Sequence, residues 1–220
     1  MSDDLQQTED YNRIHQTSRL INFPNIVKLF TAKPEAIYDI SDKVKENNMN
    51  FDLTEEQQAL QASVRKFAQN ELPEIAKKLE DTNQPPGIEL RKRYSELGYL
   101  GINISEEYGG SGGSHLDAVV VLEELAKISI AVAFPVFESC FGPSLAVAHF
   151  ANENLKSWLL PEICSGNLIL AVSMSEPDAG SALTDLTTKG VIEENFVILN
   201  GTKRWCSGAG HAEAYVVYCR

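Results

Sequence analysis

The hydrophobic pattern changes its period near Asn167, and this change limits the fold more than any other feature of the chain. Between Thr54 and Cys164 apolar residues recur at helical spacing, whereas from Leu168 onward they come in short runs bounded by turn residues. A chain of 220 residues at 43% hydrophobic content has enough material for two modest cores. The expected class is therefore α+β, an all-helical bundle over residues 51–167 followed by the start of an antiparallel, barrel-like β domain over residues 168–220. Residues 1–50 read as an extension, with weakly apolar patches interrupted by Pro24 and Pro34.

Within the helical part, Thr54 followed by Glu55 and Glu56 is an N-cap with acids in the first turn. Leu60, Val64, Phe67, Ala68 and Leu72 form the inner stripe of that helix, and Pro73 kinks or restarts it. Further helices are expected over 88–97, ended by Gly98, and over 114–127, with Leu116, Val119, Val120, Leu122 and Leu125 facing inward. The run 131–150 is apolar nearly all round and belongs at the centre of the bundle. Residues 154–164 close the helical part. The glycine-rich stretch 106–113 lacks the spacing of a phosphate-binding loop and reads as a tight connection before a helix.

After Asn167, strands are expected over 168–174, 184–192, 196–199, 202–206 and 214–219. Asn200-Gly201 between two of these runs is a hairpin signal, because both residues tolerate positive φ.

A net charge of -12, from 31 acidic and 19 basic residues, disfavours nucleic acid as a partner, since no basic surplus exists to displace counterions. No apolar stretch reaches the roughly 20 residues of a membrane helix. The acidic first residues, Met1-Ser2-Asp3-Asp4, are unlike a targeting signal, so the expected setting is soluble and cytoplasmic. Cys140, Cys164, Cys206 and Cys219 form no CxxC pair and the four histidines show no ligand spacing; reduced thiols and no metal are expected.

Two segments carry the chemistry. In Ser173-Met174-Ser175-Glu176-Pro177-Asp178-Ala179-Gly180-Ser181, Pro177 and Asp178 force a turn and Gly180 lets backbone approach a ligand. Successive N–H groups in such a loop suit carbonyl or phosphate oxygens, and the hydroxyls of Ser175 and Ser181 add donors. Trp205-Cys206-Ser207, followed by Gly208-Ala209-Gly210, presents an indole beside a hydroxyl and accessible backbone, a combination fitted to a planar ring with polar edges. An unliganded loop and a core tryptophan remain the plain alternatives.

These segments, together with Leu97-Gly98-Tyr99-Leu100-Gly101-Ile102, Glu106-Glu107-Tyr108-Gly109-Gly110-Ser111-Gly112 and Leu199-Asn200-Gly201-Thr202-Lys203-Arg204-Trp205, resemble the acyl-CoA dehydrogenase family in order and approximate spacing. The resemblance covers about residues 51–220, the family's N-terminal helical domain and the first part of its middle β domain. It implies a site for FAD. Val172, Met174, Ser175, Gly180 and Ser181 would meet the pyrimidine side of the flavin, and Trp205, Cys206 and Ser207 would lie beside its ring, with the Ser207 hydroxyl near N5. Ser181 would also meet the pantetheine arm of an acyl-CoA substrate. The chain departs from the family in carrying serine for threonine at Ser175 and Ser207, Ala182 for an acid, and Gly208 for asparagine.

The resemblance further implies an electron-transfer flavoprotein or another electron acceptor as partner, and a homo-oligomer in the full-length form. The family's catalytic glutamate belongs to a C-terminal helical domain that is missing here, so no catalytic residue is assigned and the chain is expected to be a fragment. Glu106, Glu107, Glu123, Glu124, Glu138 and Glu176 read as solvated faces or caps. Other readings are a flavin oxidase or monooxygenase on the same fold and a non-catalytic remnant acting in protein interaction. A serine hydrolase built on Ser181 and His211 lacks both the GxSxG elbow and an orienting acid.

Overall fold

A computed structural model of the chain describes residues 52–194 and 196–220. The extension expected over residues 1–50 lies outside the described residues. Helix α1 (Glu55–Glu71) starts where local chemistry dictates: the Thr54 hydroxyl accepts from the Gln57 N–H at 3.2 Å, and the Gln57 side chain accepts from the Thr54 N–H at 3.1 Å. Pro73 restarts rather than kinks the path, occupying the first turn of α2 (Pro73–Thr82), where its missing N–H costs nothing. Helix α3 (Ile88–Glu96) ends before Gly98, whose φ of +71° is glycine's own territory.

Helix α4 (His115–Ala126) begins with a second capping box, Ser114 with Asp117. Val120 and Leu125 are buried as expected, together with Ala118 and Val121, while Leu116 and Val119, also expected inward, are 48% and 42% exposed. The inner stripe therefore matches the expected one only in part. The apolar run expected as one central helix is two, α5 (Ile130–Cys140) and α6 (Pro143–Phe150), broken at Phe141 and Gly142 with Pro143 starting the second. By length and composition the run 130–150 could cross a membrane, contrary to the expectation that no stretch was long enough. Here it is interrupted at Phe141 and Gly142 and packed against α4, α7 (Glu153–Cys164) and the first strand.

Two adjoining cores result. One gathers Val64, Phe67, Leu72, Tyr94 and Val132, with Phe67 edge-on to both Tyr94 and Tyr99 at 6.0 and 5.8 Å. The buried Tyr94 hydroxyl donates to the Val132 carbonyl at 2.9 Å. The other joins Ile104, Val147, Leu160 and Ile163 to Leu170, so the first strand is anchored on the bundle.

The strands are β1 (Leu170–Ser173), β2 (Lys189–Glu193), β3 (Phe196–Asn200) and β4 (Ala214–Val217). β2 and β3 form the antiparallel hairpin, in register from Lys189↔Asn200 to Glu193↔Phe196. β1 pairs with β4, and this pair is parallel, Leu170↔Ala214 to Ser173↔Val217, where an antiparallel arrangement was expected. The long connection makes it so: everything from 174 to 213, hairpin included, lies between two strands leaving the bundle in one direction.

The hairpin turn is also misplaced by the Asn-Gly signal. β2 ends at Glu193, with Glu194 in a turn, and β3 begins at Phe196; no strand forms over 202–206. Gly201 is required for another reason, since a Cβ there would lie 2.3 Å from the Thr188 hydroxyl and 2.7 Å from its Cα.

Candidate functional site

β1 leaves the bundle at Ser173 and runs directly into the first candidate segment. Ser173 is buried and its hydroxyl donates to the Cys206 sulfur at 3.3 Å. Two residues further, the Ser175 carbonyl accepts from the Arg204 N–H at 3.0 Å. Residues 173–181 and 203–207, far apart in sequence, are therefore fastened side by side.

The fastening centres on Glu176. Its backbone closes a tight turn, with the Glu176 N–H donating to the Ala179 carbonyl at 2.8 Å and the Ala179 N–H returning to Glu176 at 3.3 Å. Its carboxylate accepts from the Thr187 N–H at 2.6 Å, the Thr187 hydroxyl at 2.7 Å, the Thr188 N–H at 2.9 Å and the Lys203 ammonium at 2.8 Å. Lys203 also donates to the Met174 carbonyl at 2.9 Å. Burial works to raise the Glu176 pKa, but the contacts with Lys203, Thr188 and Thr187 overcome it, and the group titrates well below the usual carboxylate range.

Around this buried node the expected ligand-facing residues divide. Gly180, Ser181, Trp205 and Ser207 are exposed; Val172, Met174, Ser175 and Cys206 are half-buried. The Cys206 thiol points inward to Ser173, which leaves its backbone for an outside contact. A Cβ on Gly180 would meet nothing within 4 Å, so the space beside it is open. Trp205 is 73% exposed on a backbone with φ +66°, a conformation that strains a bulky residue. The Arg204 guanidinium lies 5.2 Å from the centroid of the indole and covers part of it. The Tyr215 hydroxyl donates to the Gly208 carbonyl and accepts from the Gly210 N–H, both at 3.2 Å, and so holds the turn after Ser207.

The residues that organise this site, Glu176, Lys203, Thr187 and Thr188, were not among those expected to matter. The one available signal was that Glu176 and Lys203 fall inside the two segments singled out. The reading of the glutamates as solvated holds for Glu106, Glu107 and Glu123, which are exposed, and fails for three others. Glu176 is buried as described. Glu124 is 2% exposed and its carboxylate accepts from Arg65 at 3.0 and 2.9 Å and from Lys127 at 2.6 Å. Glu138 is half-buried, and burial pushes its carboxyl up to about 7 against the opposing pull of Arg91. Among the described residues no cluster of three or more His, Cys, Asp or Glu side chains is placed to hold a metal ion.

A family model for the N-terminal domain of acyl-CoA dehydrogenase matches residues 54–167, and one for the middle domain matches residues 171–220. Mitochondrial isovaleryl-CoA dehydrogenase from Bos taurus is 32% identical over 197 residues, covering 89% of this chain and 45% of that protein. The structure of glutaryl-coenzyme A dehydrogenase in complex with glutaryl-CoA aligns at a TM-score of 0.72 and 31% identity, over 78% of this chain and 44% of that one. The FAD complex of PigA aligns at a TM-score of 0.71 and 28% identity, over 78% and 45%. The chain thus spans just under half the length of the relatives it matches. With both segments of the site inside the matched regions, the chain belongs to the acyl-CoA dehydrogenase family.

Proposed function

We propose that this chain forms the flavin-facing wall of an FAD-dependent acyl-CoA dehydrogenase, an oxidoreductase that introduces an α,β double bond into an acyl-CoA thioester. The observation that carries the reading is Trp205. A bulky residue held at positive φ, with its indole 73% exposed and its neighbours fastened to the Ser175 loop, is strained and unburied at once. Such strain persists where a ligand contact compensates it. Support also comes from the relatives, which include an isovaleryl-CoA dehydrogenase and a PigA structure containing FAD.

The residues present fit a flavin. An exposed indole, the exposed hydroxyls of Ser181 and Ser207, and open space at Gly180 offer an apolar face flanked by donors. Val172, Met174, Ser175 and Gly180 would hold one edge of the ring through backbone and the Ser175 hydroxyl. Trp205, Cys206 and Ser207 would hold the adjoining edge, and Ser181 would reach both the flavin and the acyl-CoA. A bound FAD supplies the acceptor for the hydride that leaves the β-carbon. Glu176 does not serve as the base for the α-proton, because four donors occupy its carboxylate and keep it ionised. Its part is to hold the two halves of the wall in one geometry, the preorganisation on which transition-state binding depends. An electron-transfer flavoprotein or another acceptor would reoxidise the flavin, and the full-length protein would act as a homo-oligomer.

The test is flavin retention. After incubation with FAD and gel filtration, the protein should carry the visible flavin spectrum and quench flavin fluorescence on titration. A full-length protein that emerges colourless at saturating FAD overturns the assignment.

A further inference from the structure

Arg91 on α3 is a buried cation with incomplete hydrogen bonding. The residue is 8% exposed, and its Nη1 faces the Glu213 carboxylate at 3.8 Å, beyond hydrogen-bond length. Neither Nε nor Nη1 has a hydrogen-bond partner among the described residues. Buried donors left in this state are unfavourable, and a small polar cavity beside them is the usual seat of an ordered water.

A small cavity lies beside them, mostly apolar in its lining, with Arg91, Glu138 and Ser139 as its polar side chains. It has a volume of about 20 Å³, and Arg91, Glu138, Ser139, Gly166 and Leu170 contribute to its wall. That exceeds the roughly 10–15 Å³ one water requires. The Ser139 hydroxyl is already engaged, accepting from the Gly101 N–H at 3.1 Å and donating to the Val136 carbonyl at 3.0 Å. Arg91 and Glu138 form no direct ion pair, so the cavity wall presents donors on α3 and a carboxyl on α5. An anion there would be repelled by the carboxylate and a cation by the guanidinium. Water, able to accept twice and donate twice, suits both.

We propose that this cavity binds one water molecule, which accepts from a guanidinium N–H of Arg91 and donates to the Glu138 carboxyl, forming a water-mediated ion pair between α3 and α5. The bridge fastens the bundle to the segment that follows Ser207. Glu138 Oε1 lies 3.7 Å from where a Cβ on Gly208 would be, and Glu213, the other neighbour of Arg91, accepts from the Ile169 N–H at 2.7 Å just before β1. Arg91 is the charged group that acts on Glu138, and Glu213 in turn faces Arg91 at 3.8 Å. The inference stands apart from the cofactor reading and needs no flavin.

The test is a crystal structure of the protein together with a double-mutant cycle of Arg91→Met and Glu138→Gln, read by urea unfolding at pH 8.5 and pH 5. An ordered water within hydrogen-bond distance of both side chains is expected. So is a favourable coupling of about threefold or more in the folding equilibrium at pH 8.5, vanishing at pH 5 where Glu138 is protonated. Direct contact of the two side chains, an anomalous bromide peak in the cavity after a soak, or coupling absent at pH 8.5 overturns the proposal. If Arg91→Met does not fold, the density and a bromide soak of the unaltered protein decide it alone.

Discussion

Lys203 donates to the Glu176 carboxylate across 2.8 Å with both side chains almost wholly buried, 5% and 2% exposed. The two residues stand in the two segments that make up the candidate site, so this pair sets their spacing. Both charges are also hydrogen-bonded to backbone, Lys203 to Met174 and Glu176 to Thr187 and Thr188, which is the condition under which a buried pair is tolerated.

Lys203→Met should therefore destabilise the protein by about 3–5 kcal/mol in urea unfolding, because it leaves the Glu176 charge buried without its counter-ion. Adding Glu176→Gln to that variant should restore part of the loss, since the amide carries no charge. A double variant as unstable as Lys203→Met alone would mean that packing, not charge, dominates at Lys203.

How much of this was legible in the sequence depends on the range of each interaction. The caps at Thr54 and Ser114 are made by residues three apart, and the pattern shows them directly. The parallel pairing of β1 with β4 joins residues 44 positions apart and leaves no local mark. Asn200-Gly201 shows the difference within one dipeptide. Glycine is needed there, yet for the approach of Thr188 and not for a turn. Glu176 and Lys203 look like ordinary surface charges because composition cannot reveal that each is the other's partner. The exposed face of the site, Gly180, Ser181, Trp205 and Ser207, was visible as residue types, while the node that fixes it was not.

Two carboxyls should give the stability profile opposite slopes. Glu176 has a depressed pKa, so its contribution is present above the unfolded value and is lost as pH falls through the native one. Glu138 is raised to about 7, so the native state binds its proton more tightly than the unfolded state. Its contribution is full below the unfolded pKa and is lost as pH rises toward 7. Glu138→Gln should remove that second slope: relative to the unaltered protein it should gain stability between pH 5 and pH 8, by at most about 3 kcal/mol. Parallel unfolding curves at the two pH values would contradict the raised pKa.

Two glycines separate a packing role from a ligand role. Gly201→Ala places a methyl inside contact distance of the Thr188 backbone and should cost about 2 kcal/mol or more, with the hairpin shifting to relieve it. Gly180→Ala meets open space and should leave the unfolding midpoint almost unchanged. If the flavin approaches this backbone closely, the same variant should weaken FAD binding, so a Gly180→Ala protein with unaltered affinity would move the ligand away from the loop.

Trp205 gives the sharpest separation between stability and binding. Its side chain is largely exposed, so truncation removes little core, and its positive φ means that a glycine relieves backbone strain. Trp205→Gly should hold or raise stability by up to about 1 kcal/mol, since the left-handed conformation costs an L-residue roughly 1–2 kcal/mol and glycine's entropy in the unfolded chain returns part of it. The same change should weaken FAD binding about tenfold through loss of the aromatic face, while Trp205→Phe, which keeps a ring, should retain most of the affinity. Fluorescence titration with FAD beside urea unfolding measures both quantities on one preparation. A Trp205→Gly protein that binds flavin as tightly as the original would show that the indole is strained for some other contact.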